Sequence, residues 1–503
     1  MSEIDKKRMP KQLYFSDSKW NIRDVDWDMR TSGSIETNPG PSIFHDADGT
    51  AVQSYITAMS FYRDRLFFSS EDKLVSSRLG DWDNFWLFDP NNITVNDPLD
   101  LSVSSNSYTP ITYLQPYRNF LFLATSGNVQ YELLGSENQI SPLTAEISPT
   151  SFFGMAENTE PVLMNNNLFF FDRQKLYIYF GEQSDTQQQA LELSVNAPYY
   201  LPKNYSTPTV SSDKSSIYII DKDNPSNVYV YTNRVSGDQI LQNSFYRFVL
   251  SPDTTIRNIK AYEDFIYIIA EETTGGKKSI TASQLYVNNL ELTEPRLDNM
   301  VHQTGSWNPV YNATTDMTEI NAAIGSNDID TIVISNGDNQ GAVFNCTIKD
   351  SMIPVFSVAS LNIPGDHTGY FGTTTSAYIG KSYTATVELS PQFWRDQEKA
   401  AVNGTLNLRY GLIRYRNSGG FNLEVSRQGR TAKVIPFEVS VADDREITMD
   451  STTYKSFGIF KAPILGFSED LNLKIVSNNV HPLGISSLEF VGKFKFKNNS
   501  FGG

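Results

Sequence analysis

The sequence predicts an all-β chain: a β-propeller-like domain of about five to six blades, followed by a second antiparallel β domain, a sandwich or small barrel. Three observations predict it. Aromatics are 13% of the 503 residues, led by 31 Phe and 26 Tyr, and strands favour such residues. A two-strand unit recurs with a period of roughly 50 residues, in the range of propeller blades. Past Asn299 that spacing ends in turn-rich sequence, and a different set of alternating strands follows.

Each recurring unit reads as a polar turn, a short apolar strand, a polar loop and a second, alternating strand. The units are "RDRLFFSSEDKLVSS" from Arg63, "YRNFLFLATSGNVQYELL" from Tyr117, "NNNLFFFDRQKLYIYF" from Asn165, "DKSSIYIIDKDNPSNVYVY" from Asp213 and "YEDFIYIIAEETTGGKKSITASQLYV" from Tyr262. Their first strands begin near Leu66, Phe120, Leu168, Ile217 and Ile266. One hairpin cannot cover both of its faces, whereas radial stacking of blades covers them and leaves only short edges. In the first unit, Arg65–Phe88 reads as the inner part of a blade plus an outer strand carrying Phe85 and Trp86. A sixth blade would close by pairing a strand within Tyr14–Val25 with one near Thr318–Ile324. The competing reading is a string of unrelated hairpins in a sandwich.

The boundaries expected are an extended N-terminal arm over 1–45, the propeller-like domain over 46–299 and the C-terminal antiparallel domain over 300–503. In the last of these, strands are expected at Asp330–Ile334, Ala342–Ile348, Tyr383–Leu389, Thr405–Tyr415, Phe421–Ser426, Ala432–Val439, Leu471–Val476 and near Ser487–Phe496. Alternation in "GTLNLRYGLIRYR" and "GFNLEVSRQGRTAKVIPFEV" puts apolar residues on one face and Arg on the other. Helical periodicity is limited to a short turn near Ser390–Ala401.

The 41 basic and 57 acidic residues give a net charge of −16. No global positive field draws phosphates in, which argues against a protein whose task is to grip nucleic acid, though not against one past which DNA slides. A single cysteine, Cys346, excludes an intrachain disulfide and an all-thiolate zinc site. In "AVFNCTI" it reads as a small strand residue rather than a nucleophile. No apolar run reaches the ~18–20 residues of a membrane-spanning helix. "MSEIDKKRMPKQLYF" has charges with no following apolar stretch, so no secretory signal is read there and folding in a cytoplasm is expected.

Chemistry-bearing patterns are few. His45, His302, His367 and His481 show no metal-ligand spacing. No P-loop, Gly-x-Ser-x-Gly elbow or dinucleotide fingerprint follows a strand. "DKDNPSN" (Asp221–Asn227) resembles the start of a calcium loop without its central Gly and closing Glu. Asp81/Asp83 and Asp97/Asp100 could serve a glycosidase as paired carboxylates, and serve equally as turn formers. No catalytic residue, cofactor or metal is assigned. The exception to the acidic background is Arg409, Arg414, Arg416, Arg427 and Arg430. Arg414 and Arg416 fall on one strand face. The set reads either as a solvated face, with bridges to other subunits, or as a local positive ring that touches phosphates.

The runs "TNPGPSIF" (Thr37–Phe44), "SFYRDRLFFSSEDKLVSSRLGDWDNFW" and "DPLDLSVSSN" (Asp97–Asn106) resemble the tail nozzle proteins, or tail tubular proteins B, of short-tailed bacteriophages. So do "LQPYRNFLFLATSGNVQYEL" (Leu114–Leu133), "SPTSFFGMAENTEPVLMNNNLFFF" (Ser148–Phe171) and, near the end, "RYGLIRYRNSGGFNLEVSRQGR" (Arg409–Arg430). The likeness runs with gaps from about Trp20 almost to the C-terminus and is densest over 37–180.

The resemblance implies a non-enzymatic virion protein assembled in the host cytoplasm: a homohexamer at the tail tip through which the genome is retained and then ejected. It implies contacts with a tail adaptor ring, tail fibre proteins and the host cell surface, and transient contact with double-stranded DNA. Family members carry a large segment before the Trp20-like region. A separate chain is expected to supply it, because the arm "MSEIDKKRMPKQLYFSDSKW" reads as an extended strand seeking a partner; a differently built adaptor-facing platform is the alternative. An acidic wall repels phosphates and lets DNA pass, and six copies would turn one Arg into a ring of six. The rival readings are a glycan-degrading phage enzyme and a glycan-binding propeller. The second should repeat one aromatic in every blade, whereas Trp82 and Trp86 occur in one unit.

Overall fold

In the computed structural model, the five repeated apolar runs become the second strands of five successive antiparallel sheets. The structure describes residues 4, 9–45, 55–104, 108–135, 139–156, 159–179, 190–236, 239–252, 254–274, 277–286, 294–326, 328–349, 358–394, 404–427, 429–438 and 455–496. By packing, the chain divides into two units, Met1–Thr273 with Lys278–Asn288, and Thr274–Lys277 with Asn289–Gly503.

The first unit opens with a hairpin, Lys11–Ser16 and Lys19–Asp24. The first sheet follows, made of Ala58–Tyr62, Arg65–Ser70, Lys73–Ser76 and Leu99–Ser102. The second is Ile111–Tyr117, Phe120–Thr125, Gln130–Leu134 and Glu146–Ser151, and the third is Val162–Met164, Asn167–Asp172, Lys175–Tyr179 and Ala190–Glu192. The fourth holds Thr209–Val210, Ser216–Ile220, Asn227–Ser236 and Gln239–Val249, and the fifth Thr254–Tyr262, Phe265–Thr274 and Lys277–Tyr286. In each sheet, chain order and spatial order agree, which is the meander of a propeller blade. Turns such as Asn165-Asn166, with φ of 51° and 60°, carry the twist that joins a strand to the next without splaying them.

The period-2 alternation of the second strands glues successive sheets together. Phe67 and Leu74 of the first sheet pack with Leu121 and Leu123 of the second. Phe122, from the other face of the second sheet, meets Phe170 and Tyr179 of the third, with ring centroids 6.3 and 5.2 Å apart. Phe169 and Phe171 then pack with Ile217 and Tyr231, and Tyr218 and Val230 with Ile259 and Ile266. Strands buried on both faces are apolar at every position, which is why these runs stand out in the sequence.

Two expectations are corrected here. Phe85 and Trp86 lie in the loop between Lys73–Ser76 and Leu99–Ser102, and the outer strand of the first sheet is Leu99–Ser102. Both rings are buried beside Phe68, Trp27, Ile43 and Phe44, so the loop and the arm together cover the first sheet's outward face. Trp86 Nε1 donates to Asp28 O (2.9 Å) and Asn38 Nδ2 to Leu87 O (2.9 Å), which fastens arm to loop. The suggested sixth blade does not form as expected. Lys11–Ser16 pairs with Lys19–Asp24, and Met317–Ala323 pairs with Val310–Asn312 and Val358–Pro364.

The second unit holds two pairs of packed sheets and, among the described residues, no closed barrel. In the first pair, Asp298–Thr304, Ser376–Lys381, Thr331–Ile334 and Val343–Asn345 form one sheet; Val310–Asn312, Met317–Ala323, Val358–Pro364 and Thr347–Ile348 form the other. Trp307, Ile320, Ile332, Leu361 and Ile379 fill the space between. The second pair joins a sheet of Ala385–Leu389, Leu471–Ser477, Phe421–Arg427 and Arg430–Phe437 to one of Lys455–Phe467, Gly404–Ser418 and Ile485–Phe496. Leu408, Ile413, Leu423, Ile464 and Ile475 form their shared core. Residues 390–394 carry no helix, and the rest of the turn expected near Ser390–Ala401 lies outside the described residues.

Candidate functional site: the arginine-bearing sheets

Gly404–Ser418 is the middle strand of its sheet, so its backbone groups are paired on both sides. A bulge between Leu408 and Tyr410 absorbs Arg409 and lets Leu408, Ile413 and Tyr415 all face the core. Such an extra residue is the usual way to keep an apolar pattern in phase. Beyond the bulge, Tyr410, Leu412, Arg414 and Arg416 share the outward face. They stand beside Pro463, Lys461, Ile459 and Phe457 of the neighbouring strand. Lys461 Nζ sits 4.1 Å over the Tyr410 ring, and Phe457 is 80% exposed.

Arg414 Nε donates to Glu489 Oε1 at 2.8 Å, with both side chains about half exposed. A pair so open to water contributes less than ~1 kcal/mol, but it occupies the guanidinium. Arg416 is exposed and has no ion-pair partner among the described residues.

Arg427 and Arg430 face each other across the hairpin turn that Gly429 makes at φ +74°. Arg427 Nη2 donates to Ile464 O (3.4 Å), and a Cβ on Gly466 would lie only 3.0 Å from that nitrogen. Gly466 pairs with Leu408, so Arg427 and Arg430 lie at the Arg409 end of the sheet. From Arg409 to Arg416 the strand runs roughly 20 Å at ~3.3 Å per residue. The five arginines therefore form two groups: Arg409, Arg427 and Arg430 at one end, Arg414 and Arg416 further along the outer face.

The remaining candidates are held in local structure. Asp97 is fully buried and accepts from Thr94 N, Thr94 Oγ1 and Phe88 N. Asp100 accepts from Ser42 N and Oγ, and burial pushes its carboxyl up against those bonds. Asp221 accepts from Asp223 N and Asn224 Nδ2, so the calcium-like loop closes on itself. His302 Nε2 lies 3.0 Å from Ser335 Oγ, and His367 Nε2 2.8 Å from Pro364 O. His45 and His481 are buried, and burial lowers the pKa of His481. Burial, with Asp330 nearby, pushes the Cys346 thiol up to about 12. Among the described residues, no three His, Cys, Asp or Glu side chains gather as a metal site.

Sequence reasoning missed Lys455–Phe467, which supplies Phe457, Ile459 and Lys461 to the outer face. Gly458, Pro463 and Gly466 disguise it as loop. The readable signal was alternation, with Phe460, Ala462 and Ile464 directed to the core and Phe457, Ile459 and Lys461 exposed.

Antiparallel sheets stacked face to face, with charged side chains displayed on their outer surfaces, define an all-β protein. The chain belongs to the bacteriophage nozzle protein family, whose model matches residues 1–501, and is in that sense a structural protein of a phage tail. Tail tubular protein gp12 of Escherichia phage T7 is 22% identical over 507 residues, covering 95% of this chain. The chain spans 59% of that relative's length. Among solved structures, the β-propeller domain of Cps50 (Swd1) from Myceliophteria thermophila aligns with 53% of this chain and 80% of its own, at 9% identity and a TM-score of 0.28. An exo-β-1,3-galactanase from Phanerochaete chrysosporium aligns with 88% of this chain and 96% of its own, at 9% identity and a TM-score of 0.23. Both scores are too low for the likeness to speak to fold or chemistry.

Proposed function

We propose that this protein forms a homohexameric channel at the tip of a short phage tail, through which the DNA genome is retained and then ejected. The observation that carries the reading is the family match over nearly the whole chain, joined by the similarity to a tail tubular protein. On this reading an arm over 1–45, a propeller-like domain over 46–299 and a β domain over 300–503 are the working parts. The protein meets an adaptor ring, tail fibres and the host surface.

The charge distribution suits a DNA conduit. A net charge of −16 keeps phosphates from adhering along the wall, and a few cations at one level supply a weak hold that ignores sequence. Arg409 and Arg430, exposed at one end of their sheets with Arg427 beside them, are the residues assigned to phosphate.

Native mass spectrometry of the full chain, alone and mixed with the other tail proteins, tests the assembly. A hexamer, formed alone or beside another tail protein, is expected; a monomer indifferent to every tail protein overturns the reading.

A further inference from the structure

Two surfaces of the chain are apolar at the centre and opposite in charge. The arm and loop that cover the first sheet reach Leu66, Phe68 and Val75 but leave its first strand open. Met59 and Phe61, which share that face through their pairing with Phe68 and Leu66, are 53% and 54% exposed. Trp82 stands edge-on to Phe61 at 5.2 Å and is half exposed.

Asp81 and Asp83 flank Trp82 in the chain, and Asp26, Asp28 and Asp64 lie in segments tied to that loop. Asp28 N donates to Asp83 O, and Gly80 N to Asp64 O, which binds arm, turn and loop into one neighbourhood. Burial first, then Asp28, Asp81 and Asp26, push the Asp83 carboxyl up. Arg78 lies 3.8 Å from Asp81 and equally from the buried Asp97, and Arg63 reaches away to Asn119 O. The patch is therefore strongly negative.

The second surface is the outer face of the Lys455–Phe467, Gly404–Ser418 and Ile485–Phe496 sheet. Phe457 and Ile459, 80% and 50% exposed, stand there beside Lys461, Arg414 and Arg416. Whole-chain charge follows the same division. Residues 384–503 hold 15 basic and 12 acidic side chains, whereas residues 1–383 hold 26 and 45. Like surfaces repel, and unlike ones attract.

We propose that these two surfaces are the halves of one head-to-tail contact between copies of this chain, the cationic outer sheet of one copy seating on the acidic Phe61–Trp82 surface of the next. The inference rests on the assembly reading above and adds the residues that make the joint. Because each copy offers one half of the joint at each of two places, the contact is heterologous and repeats from copy to copy, as the ring of the assembly reading requires. Arg416 and Lys461 belong to the joint rather than to DNA.

The test is a charge exchange in the full-length chain, read by sedimentation and native mass. Asp26→Lys with Asp83→Lys, and separately Arg416→Glu with Lys461→Glu, should each weaken association by about tenfold or more. The chain carrying all four substitutions should regain most of it. Phe457→Ser, at a site too exposed to matter for folding, should also weaken association while thermal melting stays unchanged. Assembly indifferent to both charge pairs overturns the joint, as does a variant that loses DNA affinity alone. A wild-type chain that stays monomeric with and without the other tail proteins overturns the assembly reading and the joint together.

Discussion

Arg65 shows how much one side chain can hold. It is 1% exposed, and its guanidinium donates to Ser77 O, Asp97 O and Val95 O at 2.7–2.8 Å. Burial draws its pKa down to about 10, with the Asp97 charge opposing the fall, so it remains a cation at neutral pH. Arg65→Met keeps the volume and strands three carbonyls with a buried carboxylate; a loss of about 3–5 kcal/mol is expected in denaturant titration. Arg65→Lys should fall between, since one ammonium cannot span the same fork. Asp298 gives the opposite sign. Burial, then Asp328, push its carboxyl up to about 6. A raised acid stabilises the fold below its unfolded pKa and loses that contribution as pH rises through the folded value. Asp298→Asn should therefore be more stable than the wild type by about 1–3 kcal/mol at pH 8 and near neutral at pH 4, read from denaturation midpoints.

Among elements, the interleaved second strands carry the first unit. Phe122→Ala opens a hole against Phe170 and Tyr179 and should cost about 3–5 kcal/mol, lowering the melting temperature of the first unit. These strands were legible in the sequence because burial on both faces makes "FLFLA" and "LFFF" continuous. Their neighbours were not. Val162–Met164 and Ala190–Glu192 are three residues each and Leu99–Ser102 only four, too short for a period to stand out. Phe85 and Trp86 looked like a strand because they are apolar and adjacent. Their burial comes from the arm, a contact between residues far apart in the chain that no local pattern contains. In the second unit, long strands such as Gly404–Ser418 and Leu471–Ser477 could be read one at a time, Lys455–Phe467 could not, and the order of strands within sheets was hidden because a crossover leaves no periodic trace. The arginines were visible as residue types. Their division into two groups depends on the Leu408–Tyr410 bulge and the Arg427 turn, which only the register reveals.

On the scale of the whole molecule, charge is unevenly shared, and that is measurable without knowing any contact. If assembly joins the basic end of one copy to the acidic body of another, raising salt from 0.1 to 1 M shortens the screening length from ~10 to ~3 Å. Association should weaken over that range and recover on dilution of the salt, whereas a joint held by apolar burial alone would tighten or stay level.

The arm and loop that close over the first sheet also bear on how the chain is made. A propeller sealed by its last blade leaves its first blade with a bare face until the whole circle has been synthesised. Here the covering residues, Trp27, Ile43, Phe44, Phe85 and Trp86, all precede the end of the first sheet at Ser102. All of the sheet but its Met59–Phe61 edge can be covered on both sides as soon as the second one emerges, with most of the polypeptide still unmade. Each later sheet packs one face on the sheet before it and waits only for the next to cover the other, so the nascent chain can grow by addition with one bare face at a time.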